Sequence, residues 1–154
     1  MEEIRQHELM LTQYFIDGIL NLDPEEKFLR IIGKKNIENR CAVVSVQTLH
    51  MDMAQAAFEL DSTYGIMTRV GLHCAPNAHK TLGTYPEGTL RFSFGPENTK
   101  QELDIAFRCI IRITITILVY QQVDFLNNLT SKFLISALSS VAVATATPLS
   151  SALK

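Results

Sequence analysis

The stretch that decides the fold is Thr89-Leu90-Arg91-Phe92-Ser93-Phe94. Apolar and polar side chains alternate along it, which is the pattern of a strand that packs one face on a core and turns the other to solvent. Arg91 falls on the polar face, so we expect its guanidinium to be presented and not buried in the core. Thr89–Phe94 is therefore predicted to be a half-buried strand of a sheet.

The residues before this strand predict two helices and three further strands. In the two helical segments apolar side chains recur every three or four residues, and Gly65 stops the second. The strand segments are short β-rich runs bounded by turn residues. The predicted helices span Glu3–Leu20 and Met51–Leu60, and the predicted strands span Phe28–Ile32, Ala42–Val46 and Ile66–Val70. A loop over residues 71–83 follows the last of these and carries His73 and Cys74.

The residues after the strand predict one more helix. Thr99-Lys100-Gln101-Glu102 is a capping box, and apolar residues at helical spacing continue to Ile111. The element order predicts an α+β fold, with a small antiparallel or mixed sheet and helices packed on one of its faces.

Residues 113–154 differ in character from those before them. Ile113–Tyr120 is strand-like, whereas Phe133–Leu153 is an uncharged run rich in Ala, Ser, Thr and Val. The hydroxyl groups of this run and Pro148 make it a poor membrane span. We therefore expect a domain over residues 1–112 and an unassigned tail over 113–154, for which we favour a non-native extension.

Charge and cysteine content exclude several classes of partner. A net charge of −2 and a pI near 6.1 offer no basic surface for nucleic acid. Cys41, Cys74 and Cys109 are odd in number and widely spaced, so we predict no disulfide framework and a reducing compartment. The charged N-terminus lacks the apolar core of a signal peptide. A cytoplasmic location is expected, with neither nucleic acid nor membrane as partner.

Three segments in a fixed order carry a family resemblance. They are Thr68-Arg69-Val70-Gly71-Leu72-His73-Cys74-Ala75-Pro76, Ala78-His79-Lys80-Thr81-Leu82-Gly83-Thr84 and Gly88-Thr89-Leu90-Arg91-Phe92-Ser93-Phe94-Gly95. Together they resemble the class V aminotransferase family in its cysteine desulfurase and selenocysteine lyase branch. The resemblance runs from about Ile4 to Ile111 and covers only the C-terminal small domain of these fold-type I pyridoxal-phosphate enzymes.

The resemblance implies sulfur transfer onto a protein cysteine. In the family, sulfur moves from L-cysteine to an active-site cysteine as a persulfide, and alanine is released. Cys74 occupies that position. The reacting species is a thiolate, which the neighbouring His73 and Arg69 would favour. Cys41 opens an apolar strand and Cys109 lies within the amphipathic helix, so both are expected to be core residues.

The resemblance also implies roles for two arginines and a histidine. Arg91 matches the arginine that binds the substrate carboxylate, for which a planar guanidinium is suited. Arg69 matches an arginine near the active site, where it either binds substrate or shapes the Cys74 loop. His73 either transfers protons in catalysis or hydrogen-bonds the backbone.

The cofactor-binding residues stay unknown. The family's Schiff-base lysine belongs to the large domain, so Lys80, although it follows His79, is expected to be structural or solvent-facing. With no glycine-rich phosphate turn either, the chain alone is not expected to retain pyridoxal phosphate. No metal site is predicted, because His50, His73, Cys74 and His79 match no zinc spacing.

Three kinds of function remain open on the sequence alone. The first is a desulfurase domain that works with a cofactor-bearing large domain or a second subunit. The second is an inactive fragment, and the third is a non-catalytic sulfur-carrier or interaction module. L-cysteine and selenocysteine both remain possible substrates, so a selenocysteine lyase is an alternative, and a sulfur acceptor protein is an expected partner.

Overall fold

The computed structural model of the chain describes the backbone of residues 1–145 and the side chains of residues 1–132. A first compact unit spans Met1–Ile117, and a second begins at Leu118. The described residues form four helices and four strands. In chain order these are α1 (Glu2–Leu22), β1 (Leu29–Ile32), β2 (Val43–Thr48), α2 (Met53–Tyr64), β3 (Arg69–Gly71), α3 (Pro76–Leu82), β4 (Thr89–Ser93) and α4 (Lys100–Thr145).

The four strands make one antiparallel sheet in the order β1-β2-β4-β3. β4 is an inner strand, and its register places Arg91 opposite Ser45 of β2 on one side and Arg69 of β3 on the other. The α+β class predicted from the sequence is confirmed, and the sheet is antiparallel throughout. β4 thus lies between β2 and β3 in the sheet, and β3 is the strand that precedes Cys74.

The core lies between the sheet and the helices of the first unit. Leu90 and Phe92 of β4 are buried, and the Phe92 ring centroid lies 4.8 Å from that of Phe15 in α1. A Cβ on Gly18 would lie 2.2 Å from the Phe107 ring, so this glycine lets α1 approach α4 closely. Burial of such aromatic and aliphatic side chains is the main stabilising term of the fold.

Asp23 fixes the connection from α1 to β1. Its buried carboxylate accepts backbone N–H bonds from Lys27, Phe28 and Leu29 at 2.8, 2.7 and 2.9 Å. Burial pushes the pKa of Asp23 upward, but the three hydrogen bonds favour the charged form, so its net pKa lies below the ordinary value. The carboxylate therefore holds the chain reversal that starts the sheet.

The capping box predicted at the start of the last helix is present. The Thr99 N–H donates to the Glu102 carboxylate at 2.9 Å, and the Glu102 N–H donates to the Thr99 hydroxyl at 3.3 Å. The strand predicted for Ile113–Tyr120 is wrong, because α4 continues through it. The β-branched run favours a strand by composition, but Ile110, Ile113 and Thr114 are buried at helical spacing, and packing of that face overrides propensity.

Two further expectations need correction. The loop predicted over residues 71–83 contains α3, which begins at Pro76 and ends at Leu82, with Gly83 after it in the left-handed conformation. Cys41 is exposed in the segment before β2 and is not a core residue. β2 begins only at Val43, so the alternation that buries Val44 does not extend back to Cys41.

The expectations for residues 113–154 concern mostly residues that the structure does not describe. Side chains of the Phe133–Leu153 run are not among the described ones, and Pro148 lies beyond the described backbone. The division at residue 112 and the non-native origin of the tail remain predictions. Within residues 1–145, no helix combines the length and apolar character needed to cross a bilayer.

Candidate functional site

Cys74 lies on a tight turn between β3 and α3. The Ala75 N–H donates to the Leu72 carbonyl oxygen at 2.8 Å and closes the turn. His73 and Cys74 have φ values of 48° and 61°, in the left-handed region that residues other than glycine seldom adopt. The Cys74 side chain is exposed. The turn therefore presents the thiol at the surface.

Close backbone contact fixes the start of this turn against the sheet. A Cβ on Gly88, which has φ of 80°, would lie 2.3 Å from the backbone carbonyl of Gly71. Glycine is required at residue 88 for both its φ value and this approach. The Gln47 side-chain amide donates to the Gly88 carbonyl oxygen at 3.3 Å and ties the contact to β2. The Cys74 turn thus starts from a rigid position.

His73 packs back onto β4. Its Nε2 lies 3.3 Å from the Thr89 hydroxyl, within hydrogen-bond distance, although the residues are 16 apart in the chain. Burial is the main cause that lowers the pKa of His73, with repulsion from Arg91, His79 and Arg69 adding to it and a hydrogen bond with the Thr89 backbone opposing it. With its pKa below the ordinary value, His73 is neutral at neutral pH and is able to accept a proton.

Arg91 and Arg69 lie directly opposite each other on neighbouring strands. Like charges in that arrangement destabilise a sheet. The Arg91 Nε is buried without a hydrogen-bond partner, and the ion pairs of the described residues include neither arginine. An unsatisfied buried donor costs about 1–3 kcal/mol. A carboxylate bound at Arg91 would relieve both the missing bond and the repulsion.

The three cysteines differ in exposure and in their neighbours. Cys109 is buried in α4, as predicted, and burial raises the pKa of its thiol. Cys41 and Cys74 are both exposed. Only Cys74 adjoins a histidine that reaches β4, next to Arg91. The expected site residues His73, Arg91 and Arg69 lie close enough to interact electrostatically, and Cys74 follows His73 in the chain. Cys41 instead interacts electrostatically with Arg40.

The residues that support His73 were not predicted from the sequence. Thr89 shares a strand face with Arg91 and was detectable from the two-residue period. His79 received no role of its own from the sequence, but it is buried, and its ring centroid lies 6.0 Å from that of His73. Among the residues that the structure describes, no group of three or more His, Cys, Asp or Glu is placed to hold a metal ion.

These residues do not by themselves fit pyridoxal phosphate. The cofactor is held covalently through a lysine amine. Lys80 is the only lysine between Lys35 and Lys100 in the sequence. It is exposed, and its Nζ lies 5.2 Å from the centroid of the Tyr85 ring. The four candidate site residues include no lysine, and Lys80 is directed at Tyr85.

Comparison with known proteins shows the family of this chain. The aminotransferase class-V family model matches residues 1–105. Probable cysteine desulfurase 2 of Mycobacterium leprae (strain TN) is 34% identical over 115 residues, which are 73% of this chain and 25% of that protein. Cysteine desulfurase CsdA of Escherichia coli (strain K12) is 41% identical over 63 residues, 41% of this chain and 14% of that protein. The chain thus spans about a quarter or less of these relatives.

Solved structures show the same fold. The apo structure of cysteine desulfurase from Thermococcus onnurineus NA1 matches with a TM-score of 0.65 and 26% identity, covering 73% of this chain and 26% of that one. A NifS-like protein matches with a TM-score of 0.58 over 73% of this chain and 28% of that one, and its 22% identity supports the fold alone. This chain belongs to the class V aminotransferase family, and the relatives that it resembles there are cysteine desulfurases.

Proposed function

We propose that the chain is the C-terminal, cysteine-bearing part of a pyridoxal-phosphate-dependent cysteine desulfurase, with Cys74 as the thiol that receives sulfur. One observation carries the proposal: Arg91, with its buried and unpartnered Nε, lies on the strand face that also holds His73 of the Cys74 turn. An anion-binding group and a surface thiol are the two parts that a sulfur acceptor for an amino-acid substrate needs.

Arg91 would bind the substrate carboxylate. The guanidinium is half-buried on an inner strand, where water screens charge less than at an exposed site, so a charge-assisted hydrogen bond there is strong. Arg69 is exposed on β3 and would add a second positive charge that attracts the anion. Binding through Arg91 fixes one end of the amino acid and orients the sulfur at its other end.

Cys74 would form the new bond to sulfur. Its thiolate is the nucleophile, and neutral His73 beside it would take the thiol proton. In the proposed reaction an S–S bond forms between the substrate sulfur and Cys74 Sγ. The substrate C–S bond breaks, its electron pair stays on carbon, and a proton added there completes alanine. Pyridoxal phosphate held by another domain or subunit would supply stabilisation for that electron pair.

Residues outside this chain's candidate site would bind the cofactor. The chain spans about a quarter of its relatives' length, and Lys80 is directed at Tyr85. We propose that a cofactor-bearing large domain or a second subunit completes the site. The exposed position of Cys74 would then allow a sulfur acceptor protein to reach the persulfide.

The anion-binding role of Arg91 is testable on the chain itself. L-serine carries the carboxylate and amine of cysteine without the sulfur, and it is titrated into labelled protein while the backbone amides of Thr89 and His73 are followed by NMR. We expect saturable shifts that disappear in Arg91→Gln. Arg108→Gln, which alters an exposed arginine of α4, is the matched control and should behave as the unaltered chain does. Equal shifts in Arg91→Gln would contradict the assignment.

The catalytic role requires the complete enzyme. The chain is combined with the cofactor-bearing domain of a related desulfurase, pyridoxal phosphate and L-cysteine, and alanine is measured. We expect alanine formation that Cys74→Ser and Arg91→Gln abolish and that Cys41→Ser leaves unchanged. Running L-selenocysteine beside L-cysteine decides between a desulfurase and a selenocysteine lyase. Absence of alanine with either substrate would favour an inactive fragment.

A further inference from the structure

α3 docks on the rest of the protein through one side chain. Of its residues, Pro76–Leu82, only His79 is buried, at 6% exposure. A helix of this length has little stability of its own, so its position depends on that contact. Because α3 begins directly after Ala75 of the Cys74 turn, the docking of α3 also determines where the turn ends.

His79 makes a two-part connection to Thr84, which follows the end of the helix. Its Nδ1 lies 2.7 Å from the Thr84 hydroxyl oxygen, and Thr84 is completely buried. The Thr84 backbone N–H donates to the His79 carbonyl oxygen at 2.9 Å. Side chain and backbone therefore join the same two residues and close the C-terminal end of α3 over Gly83.

The other side of the His79 ring faces the candidate site. Its centroid lies 6.0 Å from the His73 ring at an interplanar angle of 47°, a separation typical of contacting rings. His73 in turn reaches the Thr89 hydroxyl. The Cys74 turn is thus held at both ends, by His73 on β4 and by His79 at the end of α3.

We propose that His79 and Thr84 act as positioning residues for Cys74, by latching α3 so that the turn keeps its two left-handed residues. Two consecutive non-glycine residues at positive φ persist only where surrounding contacts impose them. Without the latch, α3 would fray and the turn would relax toward ordinary backbone angles. The inference takes its functional meaning from the proposed role of Cys74, but its physical content is independent of that role.

Amide hydrogen exchange on the cofactor-free chain tests the latch. The reporter is the Ala75 amide, which closes the turn, and the reference is the Phe94 amide, which donates to the Ala42 carbonyl oxygen at 3.0 Å. Thr84→Val removes the hydroxyl at nearly constant volume. We expect exchange at Ala75 to rise about tenfold, the size expected from losing one buried hydrogen bond, with exchange at Phe94 unchanged. Thr84→Ser, which retains the hydroxyl, should restore protection.

A second variant separates the hydrogen bond from the ring contact. In His79→Asn the side-chain amide is able to donate to the Thr84 hydroxyl but the buried ring is lost, so exchange at Ala75 should rise less than in Thr84→Val. The loss of the ring exposes His73, whose pKa burial lowers, so the His73 titration midpoint measured by NMR should rise toward its ordinary value. A purely global loss of stability would not produce this pattern.

Two outcomes would overturn the latch. Exchange at Ala75 that is the same in Thr84→Val as in the unaltered chain would show that the turn does not depend on it. Equal increases at Ala75 and Phe94 would show that Thr84 supports the whole fold and not the turn. If the latch results are as expected and Cys74 nevertheless accepts no sulfur in the complete enzyme, only the proposed function fails.

Discussion

The two faces of β4 differ in role: one packs in the core and the other bears residues of the candidate site. On one face Leu90 and Phe92 are 1% and 5% exposed, and Phe92 packs on Phe15 of α1. On the other face lie Arg91, with an unpartnered Nε, and Thr89, which contacts His73. One strand thus joins the core to the candidate site. Substitutions on the first face should cost stability, and substitutions on the second should cost binding while the fold is kept.

The largest expected effect is on the apolar face. Phe92→Ala would leave a cavity beside Phe15 and should lower the free energy of unfolding by about 3–5 kcal/mol, measured by urea denaturation. Phe92→Leu retains most of the apolar volume and should cost clearly less. A loss below about 1 kcal/mol for Phe92→Ala would mean that this face does not carry the core.

An intermediate effect is expected at Asp23, a polar residue whose role is structural. Asp23→Ala would leave three backbone N–H groups without their acceptor and should lower the free energy of unfolding by about 1–3 kcal/mol at neutral pH. This substitution tests whether a buried polar group outside the candidate site contributes to stability. Stability equal to that of the unaltered chain would show that water replaces the carboxylate at no cost.

The pH dependence of the Asp23 contribution has a definite sign. The folded-state pKa of Asp23 is lowered, so its contribution is fully present above the unfolded-state pKa, near 3.9. It is lost as the pH falls through the folded-state value. Between neutral pH and pH 3, stability should therefore fall more steeply in the unaltered chain than in Asp23→Ala. Parallel acid profiles would contradict the hydrogen-bonded carboxylate.

The smallest effect on stability is expected on the polar face. Arg91→Met removes a buried donor without a partner and the repulsion with Arg69, so the free energy of unfolding should stay within about 1 kcal/mol of the unaltered value or increase. Binding of L-serine should be lost. Arg69→Met, which alters the residue opposite Arg91 on the edge strand β3, is the matched comparison. A destabilisation by Arg91→Met comparable to that by Phe92→Ala would assign Arg91 to the fold.

Local sequence patterns predicted the elements in which backbone preference and packing agree. The strand predicted at Thr89–Phe94 is present as β4, and the capping box at Thr99 is present too, since each depends on near neighbours in the chain. The prediction for Ile113–Tyr120 was wrong because burial of Ile113 and Thr114 continues the helical face of α4. Cys41 was misplaced because the start of a strand is poorly defined by apolar residues alone.

The candidate site was only partly accessible from sequence. The family resemblance singled out Cys74, His73, Arg91 and Arg69, but their chemical setting depends on contacts between distant segments. The bond between His73 and Thr89 joins residues 16 apart, and the pairing of Arg69 with Arg91 depends on the register of β3 and β4. No local sequence pattern predicts the left-handed conformation of both His73 and Cys74, because contacts of the turn with the rest of the fold impose it.

The most direct test of the account maps the persulfide. The chain is combined with a cofactor-bearing desulfurase domain, pyridoxal phosphate and L-cysteine, then treated with an alkylating reagent, digested and analysed by mass spectrometry. Cys41 is an internal control, because it is exposed as Cys74 is but adjoins Arg40 and not His73. The account predicts one added sulfur on Cys74, absent in Arg91→Gln, with Cys41 unmodified. Added sulfur on Cys41 at the same level, or on Cys74 irrespective of Arg91, would contradict it.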